Sequence, residues 1–206
     1  MKYGLECEFF VAKKDVRPFE LIGGLSHELT PDSCGFLAEA RGQPYNSIEE
    51  AVFSLMANIY KLEQAAVTLN VELIKLPNAD VPYSEVMKSR RQFAKDLIKF
   101  QNLYGHECHV EKKKKTAGIH ISFTDEREFN YSQIDTEKCK TERKFTYQPN
   151  WDWVQVFRTL DKAFAKEIKE ARRRPGFYEL KPDGRIEYRS LPNTVDLMKI
   201  IEVLKT

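Results

Sequence analysis

The sequence predicts an α+β fold in which a mainly antiparallel sheet is backed by helices. Helix signals and short strand signals alternate irregularly along the chain, whereas a doubly wound parallel sheet requires a regular alternation. Two late strand signals are separated by Asp183-Gly184, a dipeptide typical of a tight antiparallel hairpin. The 206 residues, of which 42% are hydrophobic, are enough for one domain with its own core. We therefore expect a single domain over residues 1–206.

The first half of the chain contains the clearest signals. Aromatic and branched residues predict a strand from about Lys2 to Lys13, and Gly23-Gly24 predicts a tight turn with short strands on either side. Ser47 and Glu50 form a capping box, and the apolar spacing after them predicts a helix to about Asn70. The other elements predicted here are a strand over Cys34 to Arg41, a strand over Val71 to Leu76 and a helix over about Ser84 to Phe100.

The second half has fewer periodic segments. Apolar residues predict a strand over Ala117 to Phe123, and a long helix begins near Asn150 and continues through Ile168. Residues 104–115 predict a loop or the approach to a strand, and residues 124–147 predict a loop with one strand near Phe145. The last predicted elements are strands over Phe177 to Lys181 and Arg185 to Leu191, followed by a short helix after Asn193.

Composition excludes several broad classes of protein. The 33 basic residues nearly balance the 31 acidic ones, so no overall charge draws the chain to nucleic acid or to a membrane surface. The four cysteines are far apart in sequence and match neither a zinc ribbon nor a disulfide framework. No secretory signal and no apolar run of about 20 residues is present. We therefore expect a soluble protein of a reducing compartment.

Two carboxylates lie two residues apart inside the first predicted strand. Because successive side chains of a strand point to opposite faces, Glu6 and Glu8 share one face while their apolar neighbours point into the core. Neighbouring like charges repel, and burying them is costly unless a cation lies between them. A hard divalent cation is the simplest candidate. Taken alone, however, such a pair is more often the solvated face of a one-sided sheet.

Three further predicted strands contain charge inside an apolar frame. They carry Glu39 with Arg41, then His120, and finally Arg185, Glu187 and Arg189 in alternation. Each has a simpler explanation: a surface ion pair, a structural histidine and a solvated ladder of charges, respectively. Together they supply carboxylates, an imidazole and guanidinium groups, the set that holds a metal-bound polyphosphate.

These motifs occur in the same order as in carboxylate–amine ligases of the glutamine synthetase and glutamate–cysteine ligase type. The sequence most resembles the small amidoligase proteins of bacteriophages and bacteria, over nearly the whole chain as spaced motifs. This resemblance implies a curved sheet, a glutamine synthetase-like core, whose concave face binds ATP and Mg²⁺ or Mn²⁺ ions. The site residues that it implies are the metal ligands Glu6, Glu8, Glu39 and Glu187, His120 beside a metal and the nucleotide phosphates, and Arg189 at the phosphate or acyl phosphate.

The implied reaction forms an amide bond at the expense of ATP. A carboxylate is a poor electrophile, so it is first phosphorylated to an acyl phosphate, which an amine then attacks. The cations would hold the β- and γ-phosphates, while Arg189 and Arg185 would neutralise charge in the transition state, beside His120. At least one residue of the Arg172–Arg174 run is expected to reach the phosphates, with Arg173 and Arg174 as our candidates. A basic helix end equally suits the helix dipole.

The resemblance has limits, and two other functions stay open. Glutamate–cysteine ligases typically have a carboxylate where this chain has Gly35, and they are far longer, so their amino acid specificity does not transfer. The chain could instead be a nucleic-acid-binding or DNA-modification accessory protein that uses Lys112–Lys115 and Arg172–Arg174. It could also be a catalytically silent relative that serves as a binding module. We expect small-molecule or peptide substrates, no membrane association and a cytoplasmic location, in the host if the protein is phage-encoded.

Overall fold

An open sheet of antiparallel strands organises the fold. The computed structural model describes residues 1–30, 32, 34–88, 100–106, 114–124, 151–181 and 185–205. The strands of the main sheet are β1 (Lys2–Lys13), β2 (Leu37–Arg41), β3 (Val71–Ile74), β5 (Phe100–Asn102), β7 (Gly118–Thr124), β8 (Phe177–Leu180) and β9 (Ile186–Pro192). Their order is β2–β1–β7–β9–β8–β5, and β3 also pairs with β1. A separate two-stranded sheet consists of β4 (Asn78–Asp80) and β6 (Lys114–Thr116).

Helices cover one face of the main sheet. They are α1 (Ser26–Leu29), α2 (Ile48–Thr68), α3 (Trp153–Ala163), α4 (Ala165–Glu170) and α5 (Leu197–Lys205), and residues 83–88 are also helical. Helix α2 packs against β1, β2 and β3, and α5 packs against both α2 and α3. Among the described helices, none is long and apolar enough to cross a membrane. Because these helices pack on a sheet of antiparallel strands, the predicted α+β class with an antiparallel sheet is confirmed.

The main core lies between these helices and the sheet. Leu5, Cys7 and Phe9 point into it from β1, and Ile119 and Ile121 from β7. A smaller apolar cluster includes Phe10, Leu37 and Ile74, at the end of the sheet where β1 pairs with β3. The alternation predicted for the first strand is thus confirmed, since the odd-numbered residues from Leu5 to Val11 enter the main core.

Helix α2 follows the predicted pattern closely. The side chain of Ser47 caps its start, because Oγ accepts a hydrogen bond from the backbone N of Glu50 at 3.4 Å. Met56 is exposed although its spacing predicted burial. The residues that form the buried stripe are Ile48, Ala51, Val52, Leu55, Ile59, Leu62 and Ala66.

Several predicted elements differ from those observed. The helix expected to end at Phe100 is wrong at that end, because Phe100 begins β5 and pairs with β8. The long helix expected to continue through Ile168 is divided at Phe164, which is fully buried and serves as the boundary between α3 and α4. The strand expected from Cys34 starts only at Leu37. The hairpin dipeptide Asp183-Gly184 and the strand near Phe145 lie outside the described residues.

A buried carboxylate ties α3 to β9 and to the turn before β8. Asp161 accepts hydrogen bonds from the hydroxyl of Tyr188 at 2.6 Å, the hydroxyl of Tyr104 at 2.8 Å and the backbone N of Gly176 at 2.9 Å. Burial and the Asp161 carboxylate raise the pKa of Tyr188 well above its usual value. Both tyrosine hydroxyls therefore stay protonated and donate, so the carboxylate is fully paired.

Replacement of this carboxylate should destabilise the fold more than loss of any one donor. Asp161→Ala leaves three buried or half-buried donors without an acceptor, so we expect the free energy of unfolding to fall by about 3 kcal/mol. Tyr104→Phe removes a single half-buried hydrogen bond and should cost only about 1 kcal/mol. Urea unfolding followed by far-UV circular dichroism measures both changes. Equal losses for the two variants would contradict the shared role of Asp161.

Candidate metal site on the charged face of the sheet

The sheet face opposite the main core carries the charged residues of neighbouring strands, and we call it the charged face. Residues directly opposite each other in antiparallel strands point to the same side, so the register brings distant parts of the chain together. The opposed pairs on the charged face are Glu6 with His120, Glu6 with Arg41, Glu8 with Glu39, Ser122 with Glu187, and Glu179 with Glu187.

His120 lies at the centre of the charged face and is only 3% exposed. Its Nδ1 lies 3.6 Å from Oε2 of Glu6 and 3.9 Å from Oε1 of Glu187, and its Nε2 lies 3.7 Å from Oε2 of Glu8. These separations exceed hydrogen-bond distance, and Nδ1 has no hydrogen-bond partner among the described residues. Since a buried polar atom without a partner is costly, the arrangement favours a ligand held between Nδ1 and the two carboxylates.

The chemistry of these donors fits a divalent cation. One ligand atom from each of Glu6, His120 and Glu187 lies within 4.8 Å of the other two. An ion with ligand bonds of about 2.1 Å sets its donor atoms roughly 3.0–4.2 Å apart, which includes the separations of 3.6 and 3.9 Å at Nδ1. Two carboxylates with one imidazole suit Mn²⁺ better than Mg²⁺, because Mg²⁺ prefers oxygen donors alone.

Glu187 is the most buried carboxylate of the site and has several cationic neighbours. Its side chain accepts hydrogen bonds from Ser122 Oγ at 3.1 Å and from Arg189, and Lys181 Nζ lies 3.1 Å from Oε2. Burial by itself raises the pKa of Glu187, but Arg189, His120 and Lys181 outweigh burial and hold that pKa below its usual value. Glu187 is therefore ionised at neutral pH.

Glu39 behaves differently from Glu6, although their side chains are in contact. Burial and the negative charge of Glu6 raise the pKa of Glu39 to about 8, despite hydrogen bonds from Arg41 at 2.7 and 3.2 Å. Burial also acts to raise the pKa of Glu6, yet the neighbouring side chains of His120 and Glu39 outweigh burial and bring that pKa below its usual value. Without a cation, the pair therefore carries one proton at neutral pH, and Glu39 holds it.

Glu8 is fixed by the backbone around it. Its Oε2 accepts a hydrogen bond from the backbone N of Gly118 at 2.8 Å, and its carbonyl oxygen accepts one from Asn193 Nδ2 at 2.9 Å. Its Oε2 also lies 3.7 Å from Nε2, the ring nitrogen of His120 that points away from Glu6 and Glu187. Glu8 and Glu39 lie beside the trio of Glu6, His120 and Glu187, and their predicted role as direct metal ligands stays a prediction.

Arg173 supports the site from its edge. Its guanidinium donates to the carbonyl oxygens of Ala117, Arg189 and Ser190, and it lies where a Cβ on Gly118 would be only 2.8 Å away. Burial lowers the pKa of Arg173 to about 10, which still leaves it charged at neutral pH. The carbonyls come from the start of β7 and from an irregular part of β9, so Arg173 joins the two strands that carry His120 and Glu187.

The remaining predicted arginines occupy different positions. Arg189 contacts both Glu179 and Glu187, and these carboxylates raise its pKa although burial opposes them. Arg185 is half-buried just before β9, and Arg174 is exposed after α4. Phosphate binding by Arg173, Arg174, Arg185 and Arg189 stays a prediction, because each of these roles depends on a nucleotide.

Sequence reasoning missed two members of the charged face. Glu179 and Lys181 lie on and just after β8, and Glu179 Oε2 is 3.0 Å from both Lys181 Nζ and Arg189 Nη1. The signal was present, since Glu179 and Lys181 alternate with Tyr178 and Leu180 in a strand that was predicted. The register of the hairpin, which sets Glu179 opposite Glu187, was the missing step.

No protein-family model matches the chain, and no curated protein resembles it closely enough to count as a match. The geometry of the charged face and the spaced motifs described above are therefore the features that bear on function.

Protonation of Glu39 should make the metal-free protein less stable as the pH rises. Its folded-state pKa of about 8 exceeds the ordinary 4.5, so the folded state binds the extra proton between these values and loses stability as pH rises through them. Glu39→Gln imitates the protonated carboxyl and should remove this slope, a difference on the order of 2 kcal/mol by pH 8. Thermal melts in EDTA from pH 5 to 8 provide the measurement, with the exposed Glu20→Gln as the control. A slope that persists in Glu39→Gln would refute the assignment.

Loss of the Arg173 guanidinium should lower the free energy of unfolding, because it removes the contacts that join β7 and β9 beside the site. Arg173→Met leaves three carbonyl oxygens without their donor, so we expect a loss of about 2–3 kcal/mol in unfolding free energy. Arg173→Lys keeps the charge but not the planar fork and should recover only part of this loss. The exposed neighbour Arg172→Met is the matched control, with an expected change within about 0.5 kcal/mol. Similar unfolding free energies for both methionine variants would exclude the supporting role.

Proposed function

We propose that the protein is an ATP-dependent carboxylate–amine ligase whose charged face holds a divalent cation. The observation that carries this proposal is the convergence of Glu6, His120 and Glu187, with the buried Nδ1 of His120 left without a partner in the described residues. The same residues carry the spaced motifs that resemble the amidoligase family. The glutamine synthetase-like form of the core is part of the proposal, and the open antiparallel sheet with one charged face supports it.

The surroundings of the trio suit a nucleotide triphosphate. A bound Mn²⁺ or Mg²⁺ would neutralise charge on the β- and γ-phosphates and orient them. Arg189 and Lys181 stand next to Glu187 and are 20% exposed at their side chains, so they lie at the rim of the buried site. Arg189 offers a planar fork that matches phosphate geometry, whereas Lys181 offers a single ammonium group.

The proposed reaction has two steps. A carboxylate oxygen of the acid substrate attacks the γ-phosphorus of ATP, the bond to the bridging oxygen breaks, and ADP leaves. The amine then attacks the acyl carbon, the bond between that carbon and the phosphoryl oxygen breaks, phosphate leaves, and the amine loses a proton to solvent. Arg189 and Lys181 would stabilise negative charge in both transition states.

Cation binding is the first measurement, because it does not require the unknown substrates. We expect Mn²⁺ titrated into the wild-type protein to bind at the trio, as followed by electron paramagnetic resonance and calorimetry. Glu6→Gln and Glu187→Gln each remove a charged ligand and should weaken Mn²⁺ binding by about 100-fold or more. Glu20→Gln makes the same change at an exposed ion pair with Lys13 and should leave Mn²⁺ affinity unchanged.

Turnover is measured next, with ATP, Mn²⁺ or Mg²⁺ and a panel of acids and amines, by mass spectrometry of amide products. The active protein should release ADP and phosphate only when a suitable acid is present, and Arg189→Lys should abolish this release. Mn²⁺ binding without nucleotide binding would identify a catalytically silent relative and overturn the ligase proposal. Mn²⁺ affinity that survives both glutamine substitutions would overturn the site.

A further inference from the structure

A second surface of the molecule stands apart from the charged face and does not depend on the proposed activity. Helix α2 directs one stripe into the core, and the residues on its far side face solvent. Phe53 is 52% exposed there and Tyr60 is 63% exposed, which is unusual for aromatic side chains on a single helix. We call this side the outer face of α2, and it comprises Glu50, Phe53, Ser54, Ala57, Tyr60 and Lys61.

A groove runs along the outer face. It has a volume of about 450 Å³ and lies between α2 and the segment that precedes it, with Gln43 and Tyr45 on the segment side and Ala57 on the helix side. Ser54 and Ala57 are small, so another helix could approach closely at this point. The exposed side chain of Phe53 lines the groove, so the outer face offers both a bulky side chain and a groove for a partner to contact.

If a second copy of the chain is turned by 180° about a twofold axis, its outer face presents charges complementary to those of the first copy. Glu50 and Lys61 lie at opposite ends of the groove, eleven residues apart, which is roughly 16 Å along a helix. Neither forms an ion pair within the described part of the chain, where Ser54 and Ala57 lie between them. In an antiparallel pair of α2 helices, Glu50 of each copy faces Lys61 of the other.

We propose that the outer face of α2 binds the same face of a second copy of this chain, with the two helices antiparallel. The twofold axis passes between Ser54 and Ala57, and Phe53 of each copy fits against Ala57 and Asn58 of the other. A parallel arrangement is disfavoured, because it would set Glu50 against Glu50 and Lys61 against Lys61. The contact is confined to one helix and its flanking segment, so we expect a dissociation constant in about the micromolar range.

Charge reversal tests the register of this dimer directly. Glu50→Lys alone and Lys61→Glu alone each create two repulsive pairs, so each should weaken self-association by about 10-fold or more. An equimolar mixture of the two single variants should associate again, because each repulsive pair becomes attractive in the mixed dimer. The double variant Glu50→Lys with Lys61→Glu should likewise recover, whereas Ala57→Arg should prevent association by filling the crossing point.

Analytical ultracentrifugation from about 5 to 500 µM at low salt measures these affinities. Thermal melts confirm that the exposed substitutions leave the monomer folded. A wild-type protein that stays monomeric over this range would overturn the proposal. Undiminished association of the single variants would also overturn it, as would failure of their mixture to associate more tightly than either alone. Mn²⁺ affinity should be unchanged in all these variants, which separates this result from the outcome at the charged face.

Discussion

The pairing register of β1 is the constraint on which the site depends. This strand pairs with β2 and β7, and one alignment sets Glu6 opposite both Arg41 and His120. A slip of one residue would turn Leu5 and its apolar neighbours toward the charged face and drive the carboxylates into the helix-covered core. Burial of the apolar side of β1 therefore determines where the charged side chains meet. The core and the site are two results of the same register.

The charged face shows how a sheet can hold several carboxylates away from water. Glu187 is fully buried, and it is compensated by Ser122, Lys181 and Arg189. Among the described residues, Arg41 is the cation that Glu6 and Glu39 share; its side chain is 59% exposed, and Glu39 keeps a proton. A divalent cation bound beside Glu6 would compensate the negative charge of the pair, so Glu39 could release its proton. Electrostatic compensation is thus complete on the β9 side and incomplete on the β1 side, where the cation is proposed to bind.

Much of this arrangement could be predicted from alternation alone. In β1, β7 and β9, polar residues at every second position identify the side that carries Glu6, His120 and Glu187. Alternation does not specify which strands are neighbours, so the contact between His120 and Glu187 needed the order β1–β7–β9. The resemblance to amidoligases implied that His120 and Glu187 lie at one site. The residues by themselves were also compatible with a solvated ladder of charges on the sheet surface.

The rest depended on tertiary contacts that leave no local pattern. The pairing of β7 with β9 shifts between Ile119 and Ile121, and this bulge lets Tyr188 and Leu191 both enter the core while Arg189 turns to the charged face. Arg173 was a candidate for phosphate binding because Pro175-Gly176 turns the chain back toward β9, and phosphate binding stays a prediction. Its guanidinium donates to backbone carbonyls near that bulge. Periodicity could not reveal this contact, since a guanidinium and three carbonyls meet only after the strands are aligned.

Helix α2 separates the two proposed surfaces physically. Its buried stripe, including Val52 and Leu55, packs in the same core as Cys7 and Phe9, the residues on either side of Glu8. The outer face therefore lies on the far side of a packed layer from the charged face, and a change of charge at Glu50 acts across that layer only weakly. The core side of α2 packs against the sheet, whereas on the outer side Ser54 and Asn58 hydrogen-bond to the preceding segment and Phe53 and Tyr60 stay exposed. Aromatic residues on that outer side need another explanation, and self-association provides one that burial within the monomer does not.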